Sequence, residues 1–225
     1  MASTKSPSQP TRITVLISGG GTNLQALIDA SQTPKLPNTS FVRVISDRKN
    51  AYGLTRASNA NIPTTIHGIL PYKKSHPDPP NGDPQQSPAR AAYDADLSEL
   101  VLADNPDMVV CAGFMRIVTP SFLLPLQERK VPIINLHPSL HGDLVGADCI
   151  GKAWQEFEQG KRKITGVMMH YVITEVDMGD AICQAWVEIE GCKDLGQLEE
   201  RMHRAEHGLI VEGTRKVAEQ LRAKE

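Results

Sequence analysis

Ile13-Thr14-Val15-Leu16-Ile17-Ser18-Gly19-Gly20-Gly21-Thr22-Asn23-Leu24 joins an apolar run to three glycines, and Leu24, Leu27 and Ile28 continue it at helical spacing. The stretch reads as strand, turn and helix. Working outward, 41–45 is a second short apolar strand and 51–60 a second helix, so the chain opens as a βαβ unit with parallel pairing and a right-handed crossover. Beyond it, 89–105 is helical with Leu97, Leu100 and Val101 on one face, and 107–112 and 131–136 are buried strands. Residues 147–159 read as a helix, and 166–173 and 181–189 as two strands of an antiparallel hairpin. From Asp194, available as N-cap, Leu195, Leu198, Met202, Ala205 and Leu209 form one apolar stripe on a terminal helix. The expected fold class is α/β: a mostly parallel, Rossmann-like twisted sheet with helices on both faces and an antiparallel strand in the C-terminal half.

Three stretches set the domain plan. Residues 1–10 are polar with two prolines and read as a disordered N-terminal segment, and 11–225 as a single domain. Within it, 71–88 (PYKKSHPDPPNGDPQQSP) holds six prolines in eighteen residues, which removes amide donors and reads as a surface insertion.

At 225 residues with 40% hydrophobic and 22% charged side chains, the chain is long and apolar enough for a buried core, which excludes disorder as an account of the whole. Lys plus Arg number 24 against 26 Asp plus Glu, so no global basic field exists and nucleic acid is not expected as a partner. No stretch approaches the roughly 18 apolar residues of a membrane span, and the N-terminus lacks an apolar signal core. Cys111, Cys149, Cys183 and Cys192 form no C-x-x-C pair and read as buried thiols of a reducing compartment, the cytoplasm.

A glycine turn that opens a helix presents backbone N–H groups at the positive end of the helix dipole, which suits a phosphate, and Thr22 and Asn23 add donors. Leu24 stands where G-x-G-x-x-G needs its third glycine, and no G-K-[ST] follows, so neither dinucleotide nor Walker signature is met. A tight turn that only needs positive φ accounts for the glycines equally well. Asn135 and His137 follow a buried strand on one face, at the carboxyl end where open α/β sheets bind ligands. Amide and imidazolium donors suit a carbonyl oxygen that turns negative, whereas packing against Pro138 is the alternative. Asp177 precedes Met178-Gly179 in the hairpin connection; it is either turn chemistry or, if the fold brings it to His137, the acid that orients an imidazolium. Residues 112–118 combine an aromatic, a thioether, branched aliphatics and Arg116, which is either core or a wall for a flat heterocycle. His203, Glu206 and His207 share a helix face that reads as solvated; H-E-x-x-H is absent, and no metal site is expected.

Taken together, SGGGTNL (18–24), AGFMRI (112–117), INLHPSL (134–140) and EVDMG (175–179) resemble the glycinamide ribonucleotide formyltransferase family over about residues 13 to 211. The resemblance implies transfer of a formyl group from 10-formyltetrahydrofolate, as co-substrate and without a metal, to the amine of glycinamide ribonucleotide, a step of purine (IMP) biosynthesis and one-carbon metabolism. It implies Asn135, His137 and Asp177 as the catalytic trio and Gly20, Gly21, Thr22 and Asn23 as the ribonucleotide phosphate loop. Glu206 matches the acid near the glycinamide end, with His207 following it as in the family. The folate wall is implied at Met115, Arg116, Ile117 and Val118, with Asn135, Thr174, Glu175, Val176 and Asp177 around the pterin and Arg90 near the glutamate tail. A monomer or weak homodimer is expected. After His137-Pro138-Ser139-Leu140 the family continues with a proline, an aromatic and a glycine, whereas this chain has His141-Gly142-Asp143-Leu144-Val145-Gly146-Ala147-Asp148. The loop beside the acceptor is therefore altered.

Four rivals are weaker. A formyltetrahydrofolate deformylase would share the trio and pass the formyl group to water, but the phosphate-type turn and the ten residues before the first strand argue against it. A methionyl-tRNA formyltransferase would carry a further C-terminal domain and a basic surface. A nicotinamide-dependent oxidoreductase would use Asp47, after the second strand, as its ribose acid. A ligand-binding module of the same fold would leave the trio unexplained.

Overall fold

The computed structural model describes residues 9–77 and 87–224. Seven strands form one sheet in the order β3-β2-β1-β4-β5-β6-β7. β1 (Thr11–Ile17), β2 (Thr39–Ser46), β3 (Thr64–Ile66), β4 (Met108–Cys111) and β5 (Ile133–His137) pair in parallel, and β6 (Ile164–Tyr171) and β7 (Ala181–Glu188) continue antiparallel. The expected class and the C-terminal hairpin are both present, with two antiparallel strands at that edge.

Alternation along the strands feeds two cores, one on each face of the sheet. Ile13, Val15 and Ile17 join Leu24, Leu27 and Ile28 of α1 (Thr22–Ser31) and Leu198, Met202 and Leu209 of α7 (Leu195–Ala223). Leu16, Ile45, Val109 and Ile133 pack on the other face with Tyr93, Leu97 and Val101 of α4 (Pro88–Leu102) and Phe122 and Leu126 of α5 (Pro120–Glu128). α7 starts where the apolar stripe predicts: Asp194 Oδ1 accepts the Gln197 amide at 2.9 Å, satisfying one free donor of the first turn. α2 (Tyr52–Asn59) makes the crossover from β2 to β3, and α6 (Cys149–Glu158) lies in the connection between the antiparallel β5 and β6.

The proline-rich stretch departs from expectation at both ends. Leu70–Ser75 is a short helix, α3, with Pro71 in its first turn, where the missing N–H has no intrahelical partner to lose. Ser87 caps α4 by accepting the Arg90 amide at 3.2 Å, and Pro88 occupies that helix's first turn. Residues 78–86, the middle of the expected insertion, and 1–8, most of the expected disordered segment, lie outside the described residues. β3 and α5 are additions to the sequence reading. α5 hides behind Pro120 and Pro125, but the buried Asp94 carboxylate accepts the Thr119 amide at 2.7 Å and so anchors its start. All four cysteines are free thiols, and Cys183 is half-buried rather than buried. Among the described residues no helix is long and apolar enough to cross a membrane.

Candidate active site

β1 lies between β2 and β4, so the chain leaves its carboxyl end towards one side of the sheet and leaves β4 towards the other. That divergence opens a crevice at the strand ends, the usual ligand position in an open α/β sheet. Here it is a cavity of about 520 Å³, within the range that encloses small ligands. Its walls come from the glycine turn after β1, the segment after β4, the end of β5, the 146–148 and 172–177 connections, and His203 and Glu206 of α7.

The glycine turn is held against α2. Gly21 has φ +70°, and a Cβ there would lie 2.5 Å from the Gly53 Cα. The Gly53 amide donates to the Gly19 carbonyl at 3.1 Å, and the Arg56 Nε–H donates to the Gly20 carbonyl at 2.9 Å. A side chain at Gly21 must therefore push backbone away from backbone in a conformation that L-residues avoid. Gly21→Ala is expected to cost at least about 1–3 kcal/mol in urea unfolding. At the far side of the turn, the Asn23 Nδ2–H donates to Glu206 Oε2 at 3.0 Å across 183 residues of chain. Both side chains are buried, and Asn23 Oδ1 has no protein partner.

Asn135 and His137 share the face of β5 opposite Ile134 and Leu136, as the period of two requires. Antiparallel pairing sets His170 of β6 opposite Asn135, and a carbonyl fixes its tautomer. His170 Nδ1 lies 2.9 Å from the Tyr171 carbonyl, which can only accept, so Nδ1 carries the proton. Nε2 is then an acceptor, and Asn135 Nδ2, 3.1 Å away, donates to it. Burial lowers the His170 pKa, outweighing the Tyr171 hydrogen bond and Asp177, and keeps the ring neutral. His137 Nε2 lies 2.8 Å from the Leu144 carbonyl and donates to it, with the Cys149 sulfur at 3.5 Å. Its other nitrogen, Nδ1, faces Asp177 Oδ2 at 3.5 Å. Asp177 has φ +58°, accepts the Gly146 amide at 2.9 Å, and has its second oxygen 3.7 Å from His170 Nε2. The forty residues between His137 and Asp177 are thus closed by the β6–β7 connection.

Because the folded pKa of His170 is depressed, the unfolded chain takes up this proton first as pH falls below the ordinary 6.5. That contribution to stability is complete above pH 6.5 and is lost downward to the folded pKa, at about 1.4 kcal/mol per pH unit. A smaller acid loss in His170→Gln, compared by urea unfolding at pH 7.5 and 5.5, is the expected result.

The remaining residues singled out in the sequence divide. Met115, Arg116, Ile117, Val118, Val176 and Asp177 line the cavity. Met115 and Ile117 are 67% and 52% exposed at its rim, large apolar surface left without a protein cover. The Arg116 guanidinium turns inward, with Nε 2.8 Å from Asp47 and its carbon 5.3 Å over the Tyr93 ring. Asp47 is thereby engaged as a buried counter-ion. Arg90 does not line the cavity; its guanidinium donates to the Ile117 carbonyl beside it. Thr174 and Glu175 line a second cavity on the opposite side of their connection. Among the described residues no group of three or more His, Cys, Asp or Glu side chains could hold a metal.

The model of a protein family described as formyl transferase matches residues 11–214. The chain belongs to the formyl transferase family. Two yeast relatives named phosphoribosylglycinamide formyltransferase are similar to it over nearly their full length. The Schizosaccharomyces pombe protein is 44% identical over 91% of this chain and 96% of its own, and that of Saccharomyces cerevisiae 45% over 93% and 98%. Among solved structures, glycinamide ribonucleotide transformylase 1 from Symbiobacterium toebii superposes with a TM-score of 0.77 at 34% identity, covering 94% of this chain and 89% of that one.

Two features of this formyl transferase's site escape a reading of sequence alone. His170 sits in an apolar strand, where a histidine reads as core; the signal is its register opposite Asn135. His203 belongs to a helix face that reads as solvated, yet it lines the cavity one turn before Glu206.

Proposed function

We propose that this transferase moves the formyl group of 10-formyltetrahydrofolate to the amine of glycinamide ribonucleotide, in de novo purine biosynthesis. The observation that carries the reading is the convergence of Asn135, His137 and Asp177 on one cavity, with the glycine turn and Glu206 at one side and an exposed apolar wall at the other. The ribonucleotide phosphate takes the backbone amides of Gly20, Gly21 and Asn23 and the hydroxyl of Thr22, as a helix N-terminus favours. Glu206 holds the glycinamide end, where the unpartnered Asn23 Oδ1 offers a buried acceptor for an N–H. Met115, Ile117, Val118 and Val176 cover the folate ring. Arg90, held on the Ile117 carbonyl beside the rim, contributes only on the outer, tail-bearing part of that ligand, and Thr174 and Glu175, which face the second cavity, have no part in holding it.

The substrate amine attacks the formyl carbon, and the carbonyl oxygen becomes an oxyanion. Asn135 has one Nδ2–H spent on His170 and a second to give to that oxygen. His137, with Nε2–H spent on Leu144, offers Nδ1–H in its protonated form, with Asp177 as counter-charge. Asp177 passes the proton lost by the amine towards the folate nitrogen as the C–N bond breaks. No bond to the enzyme forms.

Purified protein is incubated with 10-formyltetrahydrofolate, with and without glycinamide ribonucleotide, following deformylated folate by absorbance and formylated product by mass. Amine-dependent turnover supports the transfer. Turnover without amine, releasing formate, marks a deformylase and overturns it.

A further inference from the structure

The 140–148 loop, where the chain departs from the family pattern, touches both members of the acid–imidazole pair through its backbone. The Leu144 carbonyl takes the Nε2 proton of His137 at 2.8 Å, and the Gly146 amide binds Asp177 Oδ2 at 2.9 Å. Two glycines in the left-handed region, Gly142 at φ +75° and Gly146 at φ +77°, bracket this contact and give the loop little stiffness of its own. Something outside must set its position. Arg162, in the turn between α6 and β6, forms a two-pronged pair with Asp143, Nη1 to Oδ2 and Nη2 to Oδ1, each at 2.6 Å. Its Nε–H donates to Glu156 of α6 at 2.7 Å, so the fork itself is braced from a helix. Inside the loop, the Leu144 amide donates to the fully buried Ser139 hydroxyl at 3.0 Å, and the Asp143 amide to the Leu140 carbonyl at 3.2 Å. The pair is only partly exposed, with side-chain exposures of 16% and 25%, and a planar fork matched to a carboxylate fixes direction as well as distance.

We propose that Arg162 is a positioning residue for formyl transfer: clamped on Asp143, it sets the loop so that the Leu144 carbonyl fixes the ring of His137 and the Gly146 amide fixes the carboxylate of Asp177. The inference rests on reading His137 and Asp177 as the acting pair. Arg162 does not line the cavity and touches no substrate; it acts through Asp143 and the loop. Removing it leaves the reacting groups present but loosely held, and misplacement on the ångström scale costs on the order of 10²-fold in rate.

The test compares Arg162→Ala, Arg162→Lys, Asp143→Ala and the Ala/Ala double variant by steady-state kinetics on protein shown folded by circular dichroism. The ring nitrogens of His137 are followed in parallel by 15N NMR without substrates. Expected is a fall in kcat of about 10- to 100-fold for Arg162→Ala with KM changed less than about threefold. The double variant is expected to be no worse than Arg162→Ala alone, and Arg162→Lys to recover part of the rate. In spectra taken at a pH high enough for the ring to be neutral, wild-type His137 carries its single proton on Nε2, facing the Leu144 carbonyl, and Arg162→Ala shows mixed tautomers. Unchanged kcat, additive losses, or an unchanged His137 tautomer would each overturn the proposal. The NMR readout needs no turnover. Wild-type protein that transfers no formyl group sinks the functional reading, while the tautomer still decides whether Arg162 sets the loop.

Discussion

Replacing Asp177 by asparagine is expected to lower kcat by about 10³-fold, within the span assigned to positioned acid–base groups, while KM for either substrate changes little. Asparagine is close in shape and keeps a side-chain oxygen for the Gly146 amide, which the carboxylate accepts at 2.9 Å. The left-handed backbone at φ +58° is tolerated by asparagine as well as by aspartate. The loop therefore stays where it is and the cavity keeps its shape. What disappears is the negative charge 3.5 Å from His137 Nδ1 and the oxygen able to accept the amine's proton. Both losses fall on the transition state, where an imidazolium and a departing proton coexist, and neither touches ground-state binding. A variant that loses kcat and KM together, or that melts well below wild type, would assign Asp177 to the loop rather than to the chemistry.

How far this site is legible in the sequence depends on the range of the interactions that build it. The glycine turn, α1 and the strand bearing Asn135 and His137 are local patterns of apolar period and turn chemistry, and they stand where the sequence places them. Asp177 is legible from its own stretch only as a turn residue, and the family resemblance alone sets it with His137, because that contact depends on β6 pairing antiparallel to β5. Arg116 is legible as a cation beside the cavity; its inward turn is set by Asp47, a carboxylate at the end of β2 with its own side chain 2% exposed. Arg90, Thr174 and Glu175 lie off the cavity wall, since a motif gives their place along the chain and not the direction in which their connections run. The 141–148 loop shows the reverse case. As sequence it is only a departure from a pattern, whereas as structure it supplies a carbonyl to His137 and an amide to Asp177, and backbone groups carry no residue signature.

Asn135→Ala is expected to reduce kcat by about 10²- to 10³-fold, the loss seen when one oxyanion donor is removed. The argument for the amide's direction runs through three groups. The Tyr171 carbonyl fixes the proton of His170 on Nδ1, so His170 Nε2 presents a lone pair, and the Asn135 NH₂ group must point at it. An amide nitrogen has two protons, and only one is engaged by His170. The second is pre-aimed, at no cost of reorganisation when the oxyanion forms, because His170 is neutral, buried and held by β6. His170→Phe keeps a ring in the same core space and removes the lone pair. Asn135 is then free to flip its oxygen towards the developing charge, so His170→Phe should reproduce part of the Asn135→Ala loss. Combined with Asn135→Ala it should add nothing further to the loss in kcat, since the two residues act as one donor. Additive losses in kcat would mean that His170 reaches the reacting atoms by a route of its own, through Asp177 Oδ1 at 3.7 Å.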